Sequence, residues 1–562
     1  MLQTNLVLLL IAFGLCRSQT TSSDAKGTSQ IVDVGYAQYQ GAVNSHGNVE
    51  FLGLRYASPP VGALRFAEPH APARVNGVQL ANKHPPRCHV ASWGTNPHSP
   101  FRSNASLESR KAPRSRSSSP LVTRDLQIPP ISEDCLFLSV FIPGPTLTSS
   151  ARLPVVVWIH GGGYNIGSAT YPGAGPEVIY DGNDLVKFSG GNAIVIHLQY
   201  RLGLFGFLAG DDVKSKGALN AGLLDQQFAL RWVQQHISKF GGDPLRVTVW
   251  GESAGAGSVL QHLIANGGKT MPPLFKSAML SSPFLPPQYW YNDRIPKALY
   301  NEVVTKTGCD SSQNKLECIR KADINLLDSA NIAIGNNSFI GTFGFLPVVD
   351  GVLIQERPLQ ALQRRKLNTR NVLIMTNAHE GTIFVQQERI DDVVDYATQL
   401  FPTLSTLEAK SIANLYSGLG SGVEQAAQIN GEVIFICPSY AILRSLEGVG
   451  YKGQFAVPPA FHGDDIAYYF PSSSTTNAPP YNNTDFINSF SGAFLDFAVY
   501  RTPNGNRSES LLPTWPTWDE RERKEIVFNQ TDGSPVIRLE SSFPAMLQRC
   551  KYLESIGKHI GQ

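Results

Sequence analysis

Ser253 stands between two glycines in Gly251-Glu252-Ser253-Ala254-Gly255, where a short β-branched run meets a run of small residues. A G-x-S-x-G turn after a strand and before a helix is too sharp for bulk on either flank, and it lifts the serine oxygen clear of the sheet. Val247 and Val249 supply the strand, and Ala254 to Ile264 the helix. The chemistry such a turn serves is acyl transfer, with Ser253 as nucleophile. The same five letters also occur in ordinary Gly-rich turns, so the case rests on partners elsewhere in the chain.

A serine hydroxyl is a poor nucleophile until a histidine takes its proton, and that histidine needs a carboxylate to fix its tautomer. In folds with this elbow the chain order is Ser, then acid, then His. His379, His462 and His559 lie far enough downstream. His559, near the end of the sequence, reads as a surface residue, and His379 adjoins the best acid candidate, Glu380. His462 follows the strand-like Gln454 to Val457 and precedes Gly463, which leaves room around the ring. Glu380 comes directly after the run Val372 to Met375 and before Gly381, so it can project from the carboxyl end of a sheet. Asp350, in Val349-Asp350-Gly351, is the alternative acid and reads more simply as a tight turn. Asp464 and Asp465 read as helix-capping or solvated acids, with a supporting contact behind His462 as the lesser alternative. Acyl transfer also needs donors aimed at the oxyanion, each worth about 3 kcal/mol. The run His160-Gly161-Gly162-Gly163-Tyr164 after a predicted strand can supply them from bare backbone. No Lys-Ser or Lys-Thr follows these glycines, which argues against a phosphate loop.

These side chains need a rigid frame. Pro154 to Ile159, Ala193 to Leu198, Val247 to Trp250 and Asn371 to Met375 read as interior strands of a parallel sheet. Phe228, Ala229, Trp232, Val233, Ile237 and Phe240 recur at helical spacing over Leu224 to Phe240, and Gly241-Gly242 stops that helix. Ile434 to Leu446 and Phe543 to Ile556 read as further helices. The fold class is α/β, with crossover helices on a mostly parallel sheet. With 42% hydrophobic residues among 562, a large core is available. A formal charge of +2 sets up no strong field, and no basic stripe with interleaved aromatics is present, so a nucleic-acid partner is not expected.

Leu6 to Cys16 has the length and place of a secretory h-region, which makes residues 1–18 a signal peptide and 19–562 one catalytic domain without a stable membrane anchor. Six cysteines then remain, as an oxidising compartment favours, with fifteen possible connectivities. Cys309 and Cys318 could close a small loop and Cys88 with Cys135 a longer one, leaving Cys437 and Cys550. Asn-x-Ser/Thr triplets at Asn104, Asn336, Asn482, Asn506 and Asn529 fit a secreted glycoprotein. Phe101 to Arg124, rich in Arg, Ser and Pro, is expected to be a surface loop.

Together these residues resemble the type-B carboxylesterases and lipases, which include the cholinesterases and secreted fungal lipases. Phe240 to Gly255 is similar to the family's serine signature, Glu133 to Pro143 to its second signature, and His160 to Tyr164 to its oxyanion loop. The resemblance implies an α/β-hydrolase fold and a triad of Ser253, Glu380 and His462. It places the oxyanion N–H groups on Gly162, Gly163 and Ala254. Cys88–Cys135 and Cys309–Cys318 match the family's disulfides, the former closing a variable surface loop, and Cys437–Cys550 follows by elimination. That first loop lacks the amphipathic lid of the family's lipases, and Trp93 lies too soon after Cys88 to match the cation-cradling aromatic of cholinesterases.

The expected protein is a secreted serine hydrolase of small-molecule or lipid esters, needing neither cofactor nor metal. Phe284, Leu285, Trp290, Phe343 and Phe345 are candidate walls of an apolar pocket. A lipase or sterol esterase for long-chain esters is the alternative within the class. A binding protein that keeps the fold without catalysis is the alternative outside it.

Overall fold

The runs that read as strands all enter one eleven-stranded sheet. The computed structural model describes residues 30–102, 129–144, 152–170, 180–472, 479–505, 507 and 510–562. The segment 1–18, the sequons at Asn104 and Asn506, and nearly all of the basic stretch up to Arg124 lie outside the described residues.

In chain order the strands are β1 (Ile31–Asp33), β2 (Gln38–Gln40), β3 (Ala42–Val43), β4 (Val49–Arg55), β5 (Val78–Leu80), β6 (Phe137–Ile142) and β7 (Leu153–Ile159). There follow β8 (Ile194–Leu198), β9 (Gly242–Glu252), β10 (Ser277–Ser281), β11 (Val372–Asn377), β12 (Tyr451–Phe455), β13 (Lys524–Thr531) and β14 (Ser534–Ser541). β1, β2 and β5 form a small separate sheet. The large sheet runs β14-β13-β12-β11-β10-β9-β7-β8-β6-β4-β3. Its interior from β8 through β13 is parallel, and antiparallel pairs close both edges.

Parallel strands covered on both faces should be apolar at every position, and β7 is buried from Pro154 to Ile159. Val155, Val157 and Ile159 join one core, and Val156 and Trp158 join the other. The second core is strongly aromatic: Trp250 stacks on Phe494 at 5.1 Å and meets Trp158 edge-on at 5.1 Å. The helix read over Leu224 to Phe240 begins earlier, as Ala221–His236, and tightens to a 3-10 turn, Ile237–Phe240, before Gly241 at φ +84° ends it. β9 also begins earlier than its apolar run, because Gly242 pairs with Leu153 through a register shift that the polar residues between do not announce.

All three cysteine pairs are bonded: Cys88–Cys135, Cys309–Cys318 and Cys437–Cys550. Among the described residues one continuous helical stretch, Gly422–Leu446, is long and apolar enough to cross a membrane. Its apolar window is 83% buried inside the protein, as expected of a core helix.

Candidate active site

Five adjacent parallel strands, β12-β11-β10-β9-β7, end at the same edge of the sheet, and each delivers one part of the site just past its last residue. β9 leads into Ser253, β10 into Ser282, β11 into Glu380, β12 into His462, and β7 into the loop from His160. This is the carboxyl edge where open α/β sheets place their ligands.

Ser253 has φ +55° and ψ −124°, a conformation that L side chains avoid, and the helix Ala254–Gly268 begins at the next residue. The flanking glycines make that turn possible. A Cβ on Gly255 would stand 2.0 Å from the Ile159 carbonyl oxygen, and one on Gly251 would stand 2.3 Å from the Gly255 carbonyl carbon. The sharpness of the elbow is thus set by backbone lying on backbone.

His462 bridges the other two side chains. Its Nε2 lies 2.8 Å from Ser253 Oγ and its Nδ1 lies 2.6 Å from Glu380 Oε2. Glu380 is buried, and its second oxygen accepts from the Ser282 hydroxyl at 2.7 Å and the Asn377 backbone N–H at 2.7 Å. Of the rivals, His379 is exposed, and His559 is exposed and paired with Glu408. Asp350 closes its own turn by accepting the backbone N–H groups of Val352 and Ile354 and the Asn220 side-chain amide.

The sequence reading missed two members of this cluster, Ser282 and Glu252, and took a third, Asp465, chiefly for a solvated or capping acid. Ser282 carries no motif and is recognised only by its contact with Glu380. Glu252 ends β9 with its carboxylate 3.4 Å from His462 Nε2 and one oxygen, Oε1, without a hydrogen-bond partner. Asp465, expected to be solvated or helix-capping, is fully buried. It accepts from Asn377 Nδ2 at 3.1 Å and from the Tyr469 hydroxyl at 3.0 Å, and Asn377 also reaches Ser282 Oγ at 3.2 Å. Asp464 instead accepts the Phe461 N–H at 2.7 Å. Burial pushes the Glu252 carboxyl up to about 8, and burial with the nearby Glu380 charge holds Asp465 up at about 6. For His462 burial acts downward, but Glu380, Glu252 and Asp465 together carry its affinity for a proton above the ordinary imidazole value.

The loop after β7 packs bare backbone against the elbow. A Cβ on Gly161 would lie 2.7 Å from the Glu252 carbonyl oxygen and 3.0 Å from Ser253 Cβ. Gly162 and Gly163 have φ +104° and +60°, and a Cβ on Gly163 would strike the Phe343 ring at 2.2 Å. Ala254 is the first residue of its helix, where the N–H has no partner within the helix. Buried His160 stacks on Tyr200 at 4.5 Å, and burial lowers its pKa to about 4, so it is neutral.

An apolar cleft opens beside this loop, with about 960 Å³ of space including its part open to solvent. Phe284, Phe343, Phe345, Phe384, Ile434 and Phe435 line it, and among the described residues no charged side chain does. Phe435 and Phe384 also pack on the His462 ring, at 4.3 and 5.0 Å. Two predicted walls are misplaced. Leu285 is fully buried behind the cleft with its N–H on the Ile434 carbonyl, and Trp290 faces outward in a bridge with Val349.

A mostly parallel sheet with these loops at its carboxyl edge defines an α/β-hydrolase. Solved structures with the same fold include EstA of Aspergillus niger, at TM-score 0.80 and 28% identity over 95% of this chain and 99% of that one. A structure titled PNB esterase aligns with TM-score 0.72 and 26% identity over 93% and 100%. The Carboxylesterase family model matches residues 28–540, and the chain belongs to that family and is a carboxylic-ester hydrolase. Similar proteins include a secreted lipase of Arthroderma benhamiae, 32% identical over 69% of this chain and 75% of that one. Liver carboxylesterase 1 of Mus musculus is 31% identical over 84% of both, and lipase 2 of Diutina rugosa is 30% identical over 87% and 90%.

Proposed function

We propose that this chain is a secreted esterase that cleaves neutral carboxylic esters bearing an apolar chain, through an acyl-enzyme on Ser253. The observation that carries the reading is the single imidazole of His462 within hydrogen-bond reach of both Ser253 and Glu380. Ser253 Oγ adds to the ester carbonyl as His462 Nε2 takes its proton, while Glu380 holds the Nδ1–H and stabilises the imidazolium. The oxyanion is received by the N–H groups of Gly162, Gly163 and Ala254. His462 returns the proton to the departing alcohol. Water then adds to the acyl-enzyme with His462 again as base, releasing the acid and restoring the serine.

The cleft supports the choice of substrate: a wall that among the described residues carries rings and no charge favours a neutral, apolar acyl or alcohol group and disfavours a cationic one. The same cleft favours lipase action on long chains as a second reading. Secretion rests on the leading apolar segment 1–18, the paired cysteines and the sequons, of which Asn482 is exposed. A series of nitrophenyl esters from acetyl to palmitoyl, assayed below and above micelle formation beside Ser253→Ala, tests the proposal. Turnover should peak with soluble esters and fall by about 10⁴-fold or more in the variant. A rate that appears only above micelle formation assigns a lipase, and a variant within about tenfold of the parent removes Ser253 from the mechanism.

A further inference from the structure

Residues Glu432–Ile436 form a π-helical turn between the helices Gly422–Gly431 and Cys437–Leu446. Such turns are less favourable than α-helix and cluster at functional sites. This one touches both supporting members of the proposed triad. Phe435 lies on the His462 ring at 4.3 Å and on Phe384 at 5.4 Å. At its entrance, Gly431 packs against the loop of Glu380 so closely that a Cβ there would be 2.8 Å from the Gly381 nitrogen and 3.3 Å from Glu380 Cβ. Relaxation to regular α-helix would swing Phe435 round the axis by a large part of the roughly 100° that one residue spans, off the imidazole and out of the cleft wall.

The turn is held from behind by the helix Pro544–Ser555. Buried Arg549 donates to Glu432 through Nε at 2.8 Å and Nη2 at 2.5 Å, and Glu432 also accepts from the Tyr416 hydroxyl at 2.8 Å. The Arg549 guanidinium lies over the Tyr416 ring at 5.1 Å. The next residue, Cys550, is bonded to Cys437 at the end of the turn. The disulfide fixes distance, whereas the two-pronged ion pair, joined on the same carboxylate by the Tyr416 hydroxyl and the Gln428 amide, fixes rotation of the first turn residue.

We propose that Arg549, acting through Glu432, is a positioning residue that sets the register of this π-turn and so holds Phe435 against His462 and in the wall of the cleft. The inference rests on His462 being the base. A buried cation at the far side of a helix thereby controls both the orientation of the imidazole and the fit of a short acyl chain.

A double-mutant cycle tests it. Arg549→Met, Phe435→Ala and their combination are assayed on acetyl and octanoyl nitrophenyl esters, with thermal unfolding followed on the same samples. Each single variant should lose about tenfold in kcat, a fraction of what a general base contributes. The pair should lose about tenfold as well, because the second change has nothing left to displace. The acetyl ester should lose more in kcat/KM than the octanoyl ester. Arg549→Lys, which keeps one charged contact, should fall between parent and Arg549→Met and serves the same cycle if the methionine variant does not fold. A roughly hundredfold loss in the pair, or a folded Arg549 variant with parental kcat, overturns the proposal. Parental turnover abolished in Ser253→Ala alongside an unaltered Arg549→Met rate overturns the clamp alone. Turnover indifferent to Ser253→Ala overturns the site and the clamp together.

Discussion

On the side of Ser253 the site is made of backbone, and on the side of His462 it is made of side chains. Gly251, Gly255 and Gly161 bring main chain within 2.0 to 2.7 Å of where a Cβ would stand, so the elbow and its partner loop interlock chiefly through backbone. Around His462, by contrast, the ring is fixed by Glu380, by Phe435 and Phe384, and by the chain of contacts Glu380, Ser282, Asn377, Asp465, Tyr469. The difference teaches where tolerance lies. A backbone interlock has no spare volume, so one methyl group is a large perturbation. A side-chain network yields by degrees, and its members can be exchanged for isosteres that keep shape and change only charge.

Glu380→Gln should produce the largest loss of the set, about 10⁴-fold in kcat with little change in KM, because the amide keeps the volume but no longer stabilises the imidazolium. Steady-state kinetics on a soluble ester checks it, and a loss under tenfold would move the acid role elsewhere. Gly163→Ala should cost about 10² to 10³ in kcat, since the methyl meets the Phe343 ring at 2.2 Å and displaces the N–H groups aimed at the oxyanion. Pairing it with Phe343→Ala should restore part of that rate. No restoration would mean that the positive φ, and not the ring, sets the cost.

Asp465→Asn should cost only about tenfold, through Asn377 and the loop of Glu380, and should spare KM. A loss as large as that of Gly163→Ala would erase the distinction between graded and interlocked halves. The smallest effect belongs to Glu252→Gln. His462 must be neutral to accept a proton, and its pKa is raised, so the acid limb of kcat/KM should lie above about 6.5. With its pKa up at about 8, Glu252 is mostly protonated across that limb, so Glu252→Gln should leave the limb nearly where it stands, and a large shift would contradict the cluster electrostatics. Stability carries the same signature. Glu252 binds its proton more tightly folded, at about 8 against a reference of 4.5, so its contribution is complete below about 4.5 and is lost as pH rises through 8. Thermal melts from pH 5 to 8 should therefore fall more steeply in the parent than in Glu252→Gln.

The same contrast decides what could be read from sequence. The backbone half announces itself, since glycines at fixed offsets around Ser253 and in His160-Gly161-Gly162-Gly163 are needed wherever main chain packs on main chain. The strands were legible too, because a sheet buried on both faces writes continuous apolar runs such as Val155 to Ile159. The side-chain half left little trace. Glu252 looked like an ordinary letter inside the elbow, Ser282 has no pattern of its own, and Asp465 resembled a solvated acid because nothing local says that Tyr469 and Asn377 enclose it. Trp290 misled for a related reason: bulk and aromaticity mark a residue as apolar but not which side of its strand-like bridge faces the cleft. The π-turn was invisible, as its register is set by Arg549, more than a hundred residues away in sequence.

The central claim is that one alcohol, at Ser253, is made reactive by one imidazole, at His462. Labelling the purified protein with a fluorophosphonate and locating the adduct by peptide mass spectrometry tests it most directly. The adduct should sit on the peptide containing Ser253, form stoichiometrically, and slow by at least about 10³-fold in His462→Ala. An adduct on any other residue, or labelling of Ser253 at the parental rate without the imidazole, contradicts the account.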